Sequence, residues 1–122
     1  MTLHQSRPGI ALFALAAVAV LIAGVAAPRF ARAADHEVAI VEPRFDPASW
    51  GYGPDPIVVV AGDTVTWTNV GKAPHSVTAD DGSFDSGFMF HGAVWTLTTS
   101  TPGVYSYYCT LHPAMRATLI VE

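Results

Sequence analysis

Turn-forming Gly, Pro, Asp and Asn residues interrupt the chain about every eight to twelve residues from position 37 onward, so only short elements fit between them. The intervening stretches are rich in Val, Thr, Trp and Tyr, and none sustains the 3.6-residue apolar period of a helix. In residues 64–68, Val65 and Trp67 alternate with three threonines, as in a strand with one buried face. The spacing predicts an all-β sandwich with about seven strands, at residues 38–41, 57–60, 64–68, 76–79, 94–99, 104–109 and 116–121.

The segment 46–55 (Asp46 to Asp55) combines several Gly and Pro residues with two large aromatic side chains. These breakers predict a loop rather than a strand. Its aromatic residues, Trp50 and Tyr52, either cap one end of the sandwich or belong to a surface that docks a partner.

The N-terminal region has a basic residue, an apolar stretch of 18 residues at 10–27, and then an Ala-Arg-Ala triplet. This layout predicts a secretory signal over residues 1–33, cleaved between Ala33 and Ala34, and a periplasmic or otherwise exported domain over residues 34–122. An uncleaved membrane anchor is the alternative, because 18 apolar residues reach the lower limit for spanning a bilayer. No twin arginine precedes the stretch, which favours the general secretory route.

Charge excludes one class of partner. Residues 34–122 carry ten acidic side chains and only three basic ones, Arg44, Lys72 and Arg116, which gives a net charge of −7 with neutral histidines. A surface of this sign repels a phosphate backbone, so nucleic acid is excluded as a partner.

Cys109 is the only cysteine, so it is a buried spectator, an intermolecular link or a metal ligand. His112 and Met115 follow it at three-residue steps, so one tight loop can direct a thiol, an imidazole and a thioether to a common centre. His75, after the short turn 70–73, supplies the second imidazole of a blue-copper arrangement. Each residue alone has an ordinary structural explanation, whereas the combination favours copper. Zinc is the weaker alternative, because a thioether is a poor zinc ligand.

Four stretches carry a resemblance to a known family: residues 61–69, 74–78, 80–87, and 103–109 with the loop that follows. Over residues 37–122 the chain resembles the cupredoxins, in particular the small exported blue-copper proteins of the plastocyanin and amicyanin group, with an amicyanin-like ligand loop. The resemblance implies a Greek-key β-sandwich of about seven or eight strands. It also implies one type 1 copper ion, with His75, Cys109 and His112 as equatorial ligands, Met115 as axial ligand, and Asn69 tying the His75 loop to the Cys109 loop.

Two features depart from the family pattern. Leu111 precedes His112 where amicyanin-like loops often have proline, which implies a less rigid loop and a different reduction potential. The segment 46–55 is also longer than the usual link between the first strands. Met89 and His91 match no family ligand, so we expect Met89 to pack or to belong to a surface patch and His91 to lie at the surface.

The resemblance implies a one-electron carrier whose redox protein partners dock at the exposed edge of His112. We expect no enzymatic activity, because a closed four-ligand site offers no open coordination position. We also expect a monomer that meets a membrane only if the leader is retained. The alternative function is copper delivery or sequestration in the periplasm.

A second metal site is predicted at the N-terminus that cleavage would create. The free amine of Ala34, the amides of Asp35 and His36, and the His36 imidazole can hold Cu(II) or Ni(II) in a square plane. Cleavage one residue later would destroy this chelate.

Overall fold

The computed structural model describes residues 18–20, 23–24, 26 and 31–122, and it has eight strands in this part of the chain. The strands are β1 (Asp35–Val41), β2 (Gly51–Gly53), β3 (Ile57–Val59), β4 (Thr64–Asn69), β5 (Thr78–Ala79), β6 (Val94–Thr98), β7 (Gly103–Tyr108) and β8 (Arg116–Val121). A single 3-10 turn over Pro47–Ser49 separates β1 from β2. The predicted signal over residues 1–33 lies largely outside the described residues.

The strands form two four-stranded mixed sheets, with the orders β2-β1-β4-β6 and β3-β8-β7-β5. The pairs β1–β4 and β3–β8 are parallel, and the other pairs are antiparallel. This arrangement confirms the all-β fold of about seven or eight strands that the spacing of breakers and the family resemblance predicted.

The core lies between the sheets because alternate side chains of each strand point to the same face. Val65 and Trp67 of β4 and Tyr107 of β7 have no exposed surface. The Trp67 indole N–H donates to the Tyr107 hydroxyl across the core at 3.3 Å, so the polar atoms of both rings are satisfied inside an apolar interior.

The segment 46–55 is more ordered than the predicted loop. It contains the 3-10 turn and β2, which pairs antiparallel with β1 through Ile40 and Tyr52. Tyr52 is buried, and its hydroxyl donates to the backbone oxygen of Ser76 at 2.5 Å. The strand predicted at 76–79 is correspondingly shorter and begins at Thr78.

Register explains which loops meet at the end of the first sheet. Because β1 and β4 are parallel, with Ile40 opposite Asn69, the chain leaving β1 runs beside the chain leaving β4. Residues after Val41 therefore lie next to the turn 70–73, which sequence separation alone does not indicate.

The described residues contain no helix that is long and apolar enough to cross a bilayer. The apolar stretch 10–27, on which the predicted anchor depends, lies mostly outside these residues.

Candidate metal centre

Cys109 follows β7 directly and starts a tight loop that returns to β8. The Cys109 amide donates to the Met115 carbonyl at 3.0 Å, the His112 amide to the Cys109 carbonyl at 3.2 Å, and the Met115 amide to the His112 carbonyl at 2.8 Å. These bonds fold seven residues into a closed turn. Cys109 is completely buried and Met115 is 2% exposed, whereas His112 is half-buried.

His75 reaches the same place from the loop after β4. Its backbone exchanges two hydrogen bonds with Met89, at 3.0 and 2.7 Å, which fix the loop against the segment before β6. The His75 side chain is fully buried. Met89 is buried as predicted for a packing residue, and His91 is exposed, with its Nδ1 2.7 Å from the Gly71 oxygen.

The predicted equatorial donors converge. The Cys109 Sγ lies 3.7 Å from Nδ1 of His75 and 3.6 Å from Nδ1 of His112. One ligand atom from each of these three residues lies within 4.8 Å of the others. A metal bonded to histidine nitrogen at about 2.0 Å and to thiolate at about 2.3 Å separates such donors by roughly 3.5–3.8 Å, so the cluster fits a metal ion.

The donor set favours copper over zinc. A soft thiolate with two imidazoles is the equatorial set of a type 1 copper site, and the buried thioether of Met115 belongs to the same loop. Zinc would require a harder fourth ligand. The residues present therefore fit the copper ion that the sequence predicted.

Glu42, which the sequence analysis did not identify, orients His75. Its Oε1 lies 2.7 Å from Nε2 of His75, and its carboxylate accepts the backbone amides of Lys72 at 3.0 Å and Ala73 at 2.7 Å. Partial burial opposes ionisation, but the His75 side chain and the two amides hold the pKa of Glu42 below its ordinary value. With the proton on Nε2, the Nδ1 lone pair of His75 faces the metal position.

Gly71 leaves the space that Glu42 occupies. A Cβ built at position 71 would collide with the carboxyl end of the Glu42 side chain. A glycine here therefore permits the contact between the β1 and β4 loops.

Trp50 covers the two histidines. Its ring meets His112 nearly edge-on, with centroids 4.9 Å apart, and meets His75 in the same manner at 5.5 Å. The indole N–H donates to the Arg44 oxygen at 2.7 Å, which anchors the ring to its own loop. The sequence left open whether Trp50 caps the sandwich or docks a partner, and the structure places it over the metal centre.

His112 lies between the centre and the surface. Burial, and then the neighbouring His75, lower the pKa of His112, while Glu42 opposes the shift. The neutral imidazole, which is the form that binds metal, is therefore favoured.

The link between the two ligand loops differs from the expected one. Asn69 Nδ2 donates to the oxygens of Ala73 and Met89, at 2.9 and 2.8 Å, so it braces the His75 loop rather than joining it to the Cys109 loop. Ser76 makes the predicted link instead, because its Oγ accepts the Thr110 amide at 2.9 Å. A hydroxyl adjacent to His75 reaches the Cys109 loop, while Asn69 bonds to the His75 loop and to the segment before β6.

The residues of the predicted N-terminal site lie apart from this centre. Asp35 and His36 belong to β1, opposite Thr64 and Val65 of β4. The Ala34 amide donates to Asp63 Oδ1, and His36 Nε2 lies near Asp63 Oδ2, both at 2.8 Å.

Comparison with known proteins places the chain in a family. The model of the cupredoxin-like domain matches residues 12–121, so the protein belongs to the cupredoxin-like family. Amicyanin-alpha of Methylorubrum extorquens is 31% identical over 118 residues, which are 92% of this chain and 93% of that protein. The chloroplastic plastocyanin of Tetradesmus obliquus is 31% identical over 101 residues, covering 74% of this chain and 70% of that protein.

A solved structure supports the same assignment. A purple cupredoxin from Nitrosopumilus maritimus superposes with a TM-score of 0.65 at 28% identity, covering 72% of this chain and all of that one. The family assignment made from the four sequence stretches is confirmed.

Proposed function

We propose that the protein carries single electrons between redox partners through one type 1 copper ion. The observation that carries this proposal is the convergence of the Cys109 thiol on two imidazole Nδ1 atoms at 3.6 and 3.7 Å. Its similarity to amicyanin and plastocyanin supports the same function. His75, Cys109 and His112 are the equatorial ligands, and Met115 supplies the weak axial thioether.

The copper ion, when bound, supplies a one-electron couple between Cu(II) and Cu(I). The chain supplies a rigid donor set that serves both oxidation states. Closed hydrogen bonding within the Cys109 loop, the Ser76 link and the Glu42 contact restrict movement of the ligands. Little movement means little reorganisation on electron transfer, which suits a carrier.

Burial distinguishes this function from copper delivery. Cys109 and His75 are 0% exposed, and Trp50 lies over both histidines. A ligand set covered in this way releases metal slowly, whereas a delivery protein has to exchange it. Slow release favours a carrier over a delivery protein. We propose further that the carrier has no enzymatic activity, acts after export to the periplasm or an equivalent compartment, and is a monomer.

Reconstitution with Cu(II) tests the proposal. The purified protein should bind one equivalent and become intensely coloured through Cu–thiolate charge transfer. Cys109→Ser should abolish the band. His91→Ala, which removes a histidine outside the cluster, should retain it. A colourless copper-loaded protein, or a band that survives Cys109→Ser, contradicts the assignment.

The N-terminal site remains a separate prediction. It requires a terminus at Ala34 and the release of Asp35 and His36 from their places beside β4, and Asp63 competes for His36. N-terminal mass analysis tests the premise. If the protein begins at Ala34, Cu(II) titration of the filled blue site should show one further equivalent that His36→Ala lacks. A titration that stops at one equivalent rules out the second site.

A further inference from the structure

The carboxylate of Asp63, in the turn between β3 and β4, is enclosed by hydrogen-bond donors. Its side chain is only 9% exposed. Oδ1 accepts the Ala34 amide at 2.8 Å, and Oδ2 accepts the Val60 amide at 3.0 Å and lies 2.8 Å from Nε2 of His36. The carboxylate therefore faces protein donors rather than solvent, and two of these donors belong to the N-terminal end of the described domain.

The backbone of Asp63 is held independently of that N-terminal end. Its oxygen accepts the amide and the hydroxyl of Thr99, at 2.8 and 2.9 Å, and its amide donates to the Val60 oxygen at 2.9 Å. The preceding Gly62 has a φ of +98°, a conformation that favours glycine, and its amide donates to the Thr99 oxygen at 2.9 Å. These contacts position the carboxylate without help from residues 31–34.

Ala34 is the residue at which hydrogen bonding to the sandwich begins. Its amide donates to Asp63, and its oxygen accepts the Thr64 amide at 2.9 Å. Residues 31–33 are exposed and form no hydrogen bond with the residues that the structure describes. The predicted cleavage between Ala33 and Ala34 thus falls at the boundary between unanchored and anchored chain.

Hydrolysis of this bond changes the chemistry of the Asp63 contact. Water is added across the peptide bond, which leaves a carboxylate on Ala33 and an amine on Ala34. An α-amine is mostly protonated at pH 7. A neutral N–H donor 2.8 Å from Oδ1 of Asp63 is therefore replaced by an ammonium group, and the contact gains the attraction between opposite charges.

We propose that Asp63 is the receptor of the processed N-terminus. Its carboxylate binds the α-ammonium group of Ala34 and fastens the start of β1 to the turn before β4. The inference rests on the predicted cleavage, and it is independent of copper and of electron transfer. It gives processing a structural effect, because the cleaved protein is more stable than a chain that continues before Ala34.

Other acidic groups at this end of the sheet do not replace Asp63. Asp35 and Glu37 are exposed in β1, and Glu122 contacts the turn before β4 through its backbone oxygen, which accepts an amide of that turn at 2.8 Å. Among the described residues, Asp63 is the one whose carboxylate oxygen bonds to the Ala34 nitrogen. Asp35 is therefore the natural control for a charge that is close to the terminus but not bonded to it.

A terminus at any other residue loses the pairing. Cleavage one residue later removes the Ala34 oxygen, so the Thr64 amide loses its acceptor and the amine moves to Asp35. The pairing also opposes the predicted N-terminal metal site, because that chelate requires both the Ala34 amine and His36 to leave Asp63.

Acetylation of the N-terminus provides a matched test, because an acetyl group keeps the N–H donor of Ala34 and removes its charge. Mass analysis first determines where the exported protein begins, and any start other than Ala34 overturns the proposal. Lys72 is the only lysine in residues 34–122, so Lys72→Arg leaves the α-amine as the only amine to acetylate in urea. Both forms are refolded without copper in the presence of a chelator, and urea unfolding is measured at pH 7.

The free amine should lower the unfolding equilibrium constant about two- to tenfold relative to the acetylated form at low salt, as expected of a partly buried ion pair. The difference should shrink at about 0.5 M salt, where screening is strong. Equal stability of the two forms at low salt contradicts the proposal.

Two carboxylate variants identify the partner of the amine in a double-mutant cycle. In Asp63→Asn, acetylation should change stability little, because the ammonium group has lost its carboxylate. In Asp35→Asn, which removes the same charge from an exposed neighbour, the effect of acetylation should remain. An effect that persists in Asp63→Asn, or that disappears in Asp35→Asn, shows that Asp63 is not the receptor.

A chain that begins at Ala33 keeps the test decisive if Asp63→Asn fails to fold. It retains the Ala34 amide and moves the ammonium group one residue away from Asp63. Acetylation of this chain should change stability less than acetylation of the chain that begins at Ala34. Equal effects in the two chains would show that the position of the charge does not matter and would rule out the pairing.

Discussion

The Oε1 atom of Glu42 lies 2.7 Å from Nε2 of His75, on the side of the ring opposite Cys109. A carboxylate therefore sits one imidazole ring away from the metal position. This relationship couples the loop after β1 to the electronic properties of His75, the proposed ligand that follows β4.

Replacement of Glu42 by Gln should raise the reduction potential while retaining the blue band. At an effective dielectric of about 20, a unit charge at about 7 Å changes the energy of an added charge by roughly 2 kcal/mol, which corresponds to on the order of 100 mV for one electron. The negative charge stabilises Cu(II), so its loss favours Cu(I). Voltammetry measures the shift.

Glu37→Gln provides the control, because it removes an equal charge from an exposed position in β1. The reduction potential of Glu37→Gln should differ from that of the unaltered protein by only a small fraction of the shift caused by Glu42→Gln. Equal shifts in the two variants would show that His75 does not transmit the effect.

Met115→Gln should remain coloured and have a lower reduction potential. An amide oxygen is a harder axial donor than a thioether and stabilises Cu(II), while the equatorial ligands preserve the absorption. Met89→Leu is the control, because Met89 is equally buried but contacts His75 through its backbone. If Met115→Gln leaves the potential unchanged by voltammetry, Met115 is a packing residue and not a ligand.

Tyr52→Phe should destabilise the protein by about 1–2 kcal/mol, because the buried Ser76 oxygen loses its donor. Burial raises the pKa of Tyr52, so the hydroxyl keeps its proton and donates over the accessible pH range. Urea unfolding of the copper-free protein measures the change in free energy. Tyr105→Phe removes a hydroxyl bonded to Thr101 near the surface and should cost less. Equal losses of unfolding free energy in the two variants would show that the buried Tyr52 hydrogen bond stabilises the protein no more than the Tyr105 bond near the surface.

Asp63 should make stability depend on pH in acid. Backbone amides of Ala34 and Val60, followed by the His36 side chain, lower the pKa of Asp63 from 3.8 to about 2. The folded state thus favours the ionised carboxylate, and the resulting stability is present above about pH 4 and lost as the pH falls toward 2.

The measurement is the free energy of unfolding between pH 5 and pH 2. Asp63→Asn should flatten this dependence, whereas Asp35→Asn, at an exposed position at the start of β1, should leave most of it. A profile for Asp63→Asn parallel to that of the unaltered protein would exclude the carboxylate as its source.

Local spacing made the metal centre predictable. Cys109 and His112 are three residues apart, so one tight loop brings their donor atoms together, and the Pro-His pair at 74–75 follows a recognisable strand and turn. The role of Met115 as a ligand stays a prediction. The alternation of Val65 and Trp67 likewise identified the core face of β4. These features depend on residues that are close in sequence.

The residues around the metal centre could not be predicted, because they reach it through pairing between strands that are distant in sequence. Glu42 and Trp50 reach the centre because β1 runs parallel to β4 and β2 folds back on β1. The glycines that flank Tyr52 led to the prediction of a loop in place of β2. A short strand of this composition depends on a neighbouring strand, here β1, for its stability. The Ser76 link was missed for a similar reason, because a hydroxyl gives no sign in the sequence of which loop it will contact.

Gly71 constrains how related sequences can vary. The space beside position 71 holds the Glu42 side chain. A Cβ at position 71 would displace the Glu42 carboxyl group from His75 and from the amides of Lys72 and Ala73. Substitution at either position therefore changes the selective value of the other. Homologous chains that keep an acidic residue at the position of Glu42 should therefore also keep glycine at the position of Gly71.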